Sequence, residues 1–227
     1  AKALVAPSDY LAEVARAQSW AVQVIPNGLN LQDYPKSAPK PVTPPMSAKP
    51  VLLWVRAFDR IYRPQLALNI LKALTKKFPE AELYMVGPDK DGSLDSCQEF
   101  AKNHNLKVHF TGKLPKKEWT QLASKASIFL NTSAIDNAPV SVVEAMALGL
   151  PVVSSAVGGL KYLIENELSG FLVPESQEPN MVAEYTATID RMLQGQYDLE
   201  GITDAARIKA ELHDWSQVKP LWEDLVT

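Results

Sequence analysis

Two acids eight positions apart, Asp136 and Glu144, frame the opening of an apolar helix at 140–148. Pro139 fits the first position of that helix, where its missing N–H costs nothing. The N–H groups of Val140 and Ser141 then stand free at the positive end of the helix dipole, an arrangement suited to phosphate. The acids suit hydroxyls, because an ionised carboxylate accepts several hydrogen bonds. Glu144 lies in the run Val142-Val143-Glu144-Ala145-Met146-Ala147, where a buried carboxylate without a partner is costly. That favours a ligand over an exposed helix charge. Asp136 also has a simpler reading, as an acid favoured by the helix dipole alone. Together these residues can hold a sugar phosphate.

Three arginines form a second cluster, Arg56, Arg60 and Arg63. Arg56 directly follows an apolar strand, and an arginine there can clamp a diphosphate through paired N–H bonds. Arg60 and Arg63 are weaker candidates, with solvated loop charges as the alternative. Gly112 and Lys113 close another strand. The glycine allows a flat ligand to approach the backbone, and the lysine can stand near a base or phosphate; a plain turn explains them equally well. Gly158-Gly159 fits a turn better than a phosphate nest. Cys97 has no partner cysteine, so no intrachain disulfide exists, and inert packing is its expected role. His104, His109 and His213 lack metal-ligand spacing, so no metal and no cofactor is expected.

These residues need a scaffold to bring them together. The chain has 227 residues, 46% hydrophobic and 22% charged, enough for a sizeable core. A net charge of −3 and scattered aromatics argue against a nucleic-acid partner. No apolar run reaches the ~18–20 residues of a membrane span. Single-cysteine usage fits a reducing, cytoplasmic setting. No Gly-x-Gly-x-x-Gly follows a strand and no P-loop motif occurs, which disfavours nicotinamide dehydrogenases and P-loop enzymes.

Short strands at 4–6 and 22–25 flank a helix at 10–18. Residues 35–50 hold six of the 17 prolines and read as a stiff connector. From 51 onward strands alternate with helices. Strands are expected at 51–55, 82–86, 108–111, 128–131, 152–154 and 170–173. Helices are expected at 65–77, 94–104, 116–125, 140–148 and 160–164, followed by closing helices at 181–193, 204–212 and 216–225. This pattern predicts an α/β fold: a doubly wound, mostly parallel, Rossmann-like sheet of about six strands with helices on both faces. Ligands bind such sheets beyond the carboxyl ends of the strands, and every chemical cluster above falls on a loop there.

In order and spacing, the segments Val24-Ile25-Pro26-Asn27-Gly28-Leu29-Asn30, 82–87, 108–112, 150–159, 170–173 and Asp214-Trp215-Ser216 resemble the family 4 glycosyltransferases of GT-B fold. The stretch from Asp136 to Glu144 is similar to their Glu-x7-Glu donor signature, with Asp in place of the first Glu. The resemblance implies two facing Rossmann-like domains, the second binding a nucleoside-diphosphate sugar. It divides this chain into the tail of the first domain with the interdomain segment (1–35), a Pro-rich linker (36–50), the donor domain (51–202) and closing helices (203–227).

The resemblance further implies hexosyl transfer with retention to a glycan, lipid or small-molecule acceptor in polysaccharide biosynthesis, with a uridine diphosphate donor as substrate rather than cofactor. Arg56 is expected on the diphosphate, Glu144 on the ribose, Val140 and Ser141 on phosphate, and Asp136, the catalytic candidate, on the transferred sugar. The family's usual Lys falls on Ile61, leaving Arg60 as the substitute. Because the chain begins inside a strand without Met, it is expected to be a fragment, inactive alone, lacking the acceptor domain through which any peripheral membrane contact is expected. A non-catalytic nucleotide-sugar-binding module and, more weakly, an epimerase are the alternatives.

Overall fold

A computed structural model describes residues 3–36 and 49–226. The expected linker at 36–50 falls almost wholly outside them. The first two strands, β1 (Val5–Ala6) and β2 (Gln23–Val24), pair in parallel around helix α1 (Asp9–Ala17). Ser8 caps α1, its hydroxyl accepting from the Leu11 N–H at 3.3 Å.

The rest alternates as the sequence predicts. Strands β3 (Val51–Val55), β4 (Glu82–Val86), β5 (Lys107–Gly112), β6 (Ile128–Asn131), β7 (Val152–Ser155) and β8 (Phe171–Val173) form one parallel sheet in the order β5-β4-β3-β6-β7-β8. Between them run α2 (Pro64–Leu74), α3 (Ser93–Asn103), α4 (Lys116–Ala123), α5 (Val140–Ala147) and α6 (Leu160–Leu163). Helices α7 (Glu178–Leu193), α8 (Leu199–Glu211) and α9 (Trp215–Val226) follow.

Both faces of the sheet are covered, which is why β3 and β6 read as continuous apolar runs. Side chains alternate across the sheet. Leu52 and Trp54 join the core under α2 and α7, while Leu53 joins the core under α4, α5 and α8. Cys97 is buried in α3, and burial pushes its thiol up to about 11, as suits an inert packing residue. Among the described residues no helix is long and apolar enough to cross a membrane, and no group of acids, histidines and cysteine is arranged to hold a metal.

The sequence places several helix starts late. Helix α7 begins at Glu178 rather than 181, and α8 at Leu199 rather than 204. Helical periodicity shows first where side chains enter the core, but the polar first turn precedes it. In α8 that turn is capped by Asp198, whose side chain accepts from the Gly201 N–H at 3.1 Å. The helix therefore runs through the expected 202/203 boundary.

Candidate functional site

The strand order reverses between β3 and β6, the switch point at which such sheets form a ligand crevice beyond the carboxyl ends of the strands. The loops at 56–63 and 132–139 leave the two strands there. They are tied together: the Ala134 N–H donates to the Ile61 carbonyl at 2.7 Å, and the Thr132 hydroxyl to the Tyr62 carbonyl at 2.8 Å. Trp54, a core residue, donates its indole N–H to the same Thr132 hydroxyl at 3.0 Å.

Arg56 and Asp136 meet in this crevice. The Arg56 Nη2 donates to Asp136 Oδ2, its Nε to Asn131 Oδ1 at 3.4 Å, and its guanidinium lies 5.2 Å from the Tyr62 ring centre. Both members are largely buried, with side chains 14% and 8% exposed. The Ser133 hydroxyl adds a bond to Asp136 Oδ2 at 3.2 Å. Burial pushes the Asp136 carboxyl above its usual range, and Arg56 and Ser133 pull it back. Arg56 is thus oriented by an acid, and among the described residues no bond falls on its Nη1.

The backbone of Asp136 is held from behind. Its carbonyl accepts the Gly159 N–H at 2.9 Å. Gly158, at φ +46°, approaches so closely that a Cβ there would lie 2.3 Å from that carbonyl oxygen. The Gly158-Gly159 pair therefore serves close backbone packing in a turn, which is the reading the sequence favours.

Glu144 lies one turn inside α5 and is buried. Tyr34 donates its phenol to Glu144 Oε1, and Lys116 Nζ stands 3.6 Å from the same oxygen. Burial raises the Glu144 carboxyl above its usual range, while Tyr34, Lys116 and Arg56 oppose the rise. Pro139 proves to be the N-cap of α5 rather than its first residue. Its carbonyl accepts from Val142 and Val143 at 3.0 and 3.1 Å, so the N–H groups of Val140 and Ser141 precede the helical ladder. The Ser141 Oγ is buried and, among the described residues, has no hydrogen-bond partner. Two unbonded N–H groups at the positive end of a helix suit an anion.

A cleft of about 280 Å³ adjoins Arg56 and is lined by Tyr62, Val86, Lys113, Leu114 and Trp119 among others. Lys113 stands exposed at its rim. Gly112, at φ +68°, has open space where a side chain would lie. A second cavity, of about 330 Å³ and mostly apolar, lies between the β1–α1–β2 unit and helices α5, α6 and α8.

Two candidate arginines stand apart from the Arg56–Asp136 pair. The Arg60 side chain is 90% exposed, and its Nε lies 3.8 Å from Asp91. Arg60 sits on a short 3₁₀ turn whose N–H groups are taken up by Asp59 and Asp91, which directs it outward. Arg63 makes a two-pronged pair with Glu175 at 2.8 and 2.9 Å. Conversely, sequence reading missed Tyr34, Lys116, Asn131 and Ser133. Tyr34 carries no local signal, because its partner is 110 residues away. Asn131 and Ser133 flank Thr132 at the end of β6, and polar residues at that position were the one available hint.

A family model described as glycosyl transferases group 1 matches residues 38–208. The amylovoran biosynthesis glycosyltransferase AmsK of Erwinia amylovora is 35% identical over 127 residues, 53% of this chain and 28% of the relative. A sulfoquinovosyl transferase of Arabidopsis thaliana is 30% identical over 152 residues, 66% of this chain and 28% of the relative. The chain thus spans less than a third of either. Among solved structures, sucrose-phosphate synthase from Thermosynechococcus elongatus superposes with a TM-score of 0.81 at 23% identity, covering 98% of this chain and 57% of that one. Anabaena HepE, solved with UDP and glucose, superposes with a TM-score of 0.80 at 21% identity, covering 100% and 63%. The sheet is that of GT-B glycosyltransferases, and with most of its length fitting the family model, the chain belongs to the glycosyl transferases group 1.

Proposed function

We propose that this chain is the donor-binding half of a retaining, family 4 type glycosyltransferase that moves a hexose from a nucleoside diphosphate, uridine diphosphate foremost, to an acceptor held by a facing domain. The observation that carries the reading is the β3/β6 switch, where Arg56 pairs with Asp136 beyond the strand ends and where α5 follows with an unbonded first turn and the buried Glu144. Solved neighbours bound to UDP or UDP-glucose support it.

In this reading the Val140 and Ser141 N–H groups, with Arg56 Nη1, take up the charge that grows on the diphosphate as its bond to the sugar breaks. Asp136, already oriented by Arg56, accepts from hydroxyls of the transferred sugar. Glu144 accepts from the ribose. The cleft beside Lys113, Leu114 and Trp119 receives the base. The acceptor hydroxyl attacks on the face the diphosphate leaves.

Calorimetry at millimolar UDP, GDP and ADP tests the donor site. Heat of binding is expected for at least one, strongest for UDP, and binding to none rejects the reading. Ile61 and the outward Arg60 favour a second reading, a nucleotide-sugar-binding module without transfer. Catalysis needs donor and acceptor within about 3–3.5 Å. Transfer is therefore expected from a protein that includes an acceptor domain and not from this chain alone. Turnover by this chain equal to that of the longer protein would reject the two-domain mechanism.

A further inference from the structure

Tyr34 closes the turn at 31–34 and is fully buried. Its position is fixed from several sides. Arg207, on α8, donates to the Tyr34 carbonyl at 2.7 Å and also to the carbonyl of Ala147, the last residue of α5. The head of the turn is tied down by the Leu31 N–H, which donates to Asp214 at 3.1 Å. The ring lies 6.4 Å from the ring of Trp119, and Lys116 Nζ stands 4.8 Å over its centre. A phenylalanine would fill the same volume, so packing does not explain the hydroxyl. Its one partner among the described residues is Glu144 Oε1. Burial and the neighbouring carboxylate push the phenol far above its usual range, so it remains a donor.

Both contacts to Glu144, from Tyr34 and from Lys116, fall on Oε1. A carboxylate with one oxygen held by an immobile donor presents the other in a single direction. A freely rotating carboxylate would lose entropy on meeting a ligand; this one has lost it in folding. Resting on the donor-site reading above, we infer that Tyr34 is a positioning residue for nucleoside recognition, locking Glu144 so that Oε2 meets the ribose diol of the donor.

The test is a calorimetric cycle of the chain and Tyr34→Phe against UDP and 2′,3′-dideoxy-UDP. A hydrogen bond to a charged group is worth ~1.5–3 kcal/mol, so the unaltered chain should prefer UDP by about 10- to 150-fold. Tyr34→Phe should cut that preference at least about fivefold while dideoxy-UDP binds as before. Equal losses for both nucleotides would mean that Tyr34 merely packs, and an unchanged preference would mean that Glu144 needs no holding; either result overturns the inference and spares the donor site. Failure of the unaltered chain to bind UDP overturns both. Should Tyr34→Phe not fold, the ¹³Cζ resonance of Tyr34 in the unaltered chain decides: it should move with UDP and stay with dideoxy-UDP, and equal movement rejects the assignment.

Discussion

Asp136 and Glu144 share one loop–helix segment and nearly equal burial, yet they are stabilised in different ways. Asp136 faces a full cation. Its partners Arg56 and Ser133, and Asn131, which accepts from both of them, all sit at the tips of the adjacent strands β3 and β6, so the sheet that builds the crevice also builds the pair. Glu144 faces a neutral phenol, with a half-exposed ammonium farther off. Its partners come from the turn at 31–34, 110 residues away in the chain, and from α4. An ion pair made within one sheet is expected to act on stability first. A hydrogen bond assembled from distant segments is expected to act on orientation first.

The largest effect should follow from removing the cation. Arg56→Met strands a buried carboxylate, and breaking a buried pair costs about 3–5 kcal/mol. Urea unfolding should show that loss. Adding Asp136→Asn to Arg56→Met should recover most of it, because the uncompensated charge is then gone. A double variant as unstable as the single one would place the cost in Arg56 packing against Tyr62 rather than in the pair.

A smaller and different effect is expected from the acids on ligand binding. Glu144→Gln should weaken UDP by ~1.5–3 kcal/mol, through loss of a charged acceptor for the ribose. Asp136→Asn should weaken UDP less, and should show its larger loss only with UDP-sugar. Calorimetry with both ligands separates the roles, and equal losses on bare UDP from both variants would reject the division between ribose and sugar.

The two regions also differ in how far the sequence discloses them. Six strands, and ligand-facing loops at their carboxyl ends, follow from alternation, because an apolar run closed by a turn residue, a polar residue or a charge marks a strand tip; the strand order that sets the switch between β3 and β6 rests on pairings that alternation does not encode. Arg56, Asp136 and Glu144 are legible for the same reason: each is a polar residue at an apolar boundary or inside an apolar run. Arg60 shows the limit. Its spacing from Arg56 is right for joint action, but the aspartates that bind its turn's backbone decide where it points. Tyr34 shows the other limit. Nothing at 29–36 marks it as polar machinery, since the contact exists only after α8 and α5 have closed over the turn.

The smallest expected effect concerns Lys116. Its side chain is 47% exposed and 3.6 Å from Glu144, and exposed pairs contribute about 0–1 kcal/mol. Lys116→Met should therefore leave stability nearly unchanged and weaken UDP by no more than about fivefold. Its clearer signature is in pH. Burial holds the Glu144 carboxyl above its usual range, and the charged or titratable groups facing it are Tyr34 from the 31–34 turn, Lys116 from α4 and Arg56 beyond β3. A carboxyl raised in the fold takes up its proton earlier as pH falls, so this group favours the folded state on acidification while losing its grip on the ribose. Preference for UDP over dideoxy-UDP should accordingly fade at a pH above the ordinary glutamate value of about 4.3. Taking the ratio of the two ligands cancels protonation of the diphosphate itself. Lys116 opposes the rise, so Lys116→Met should move the midpoint of that loss upward. Arg56→Met should move it in the same direction by less, since Arg56 contributes less to holding Glu144 down. A midpoint that moves downward in Lys116→Met, or not at all, would show that Tyr34 alone governs the carboxylate.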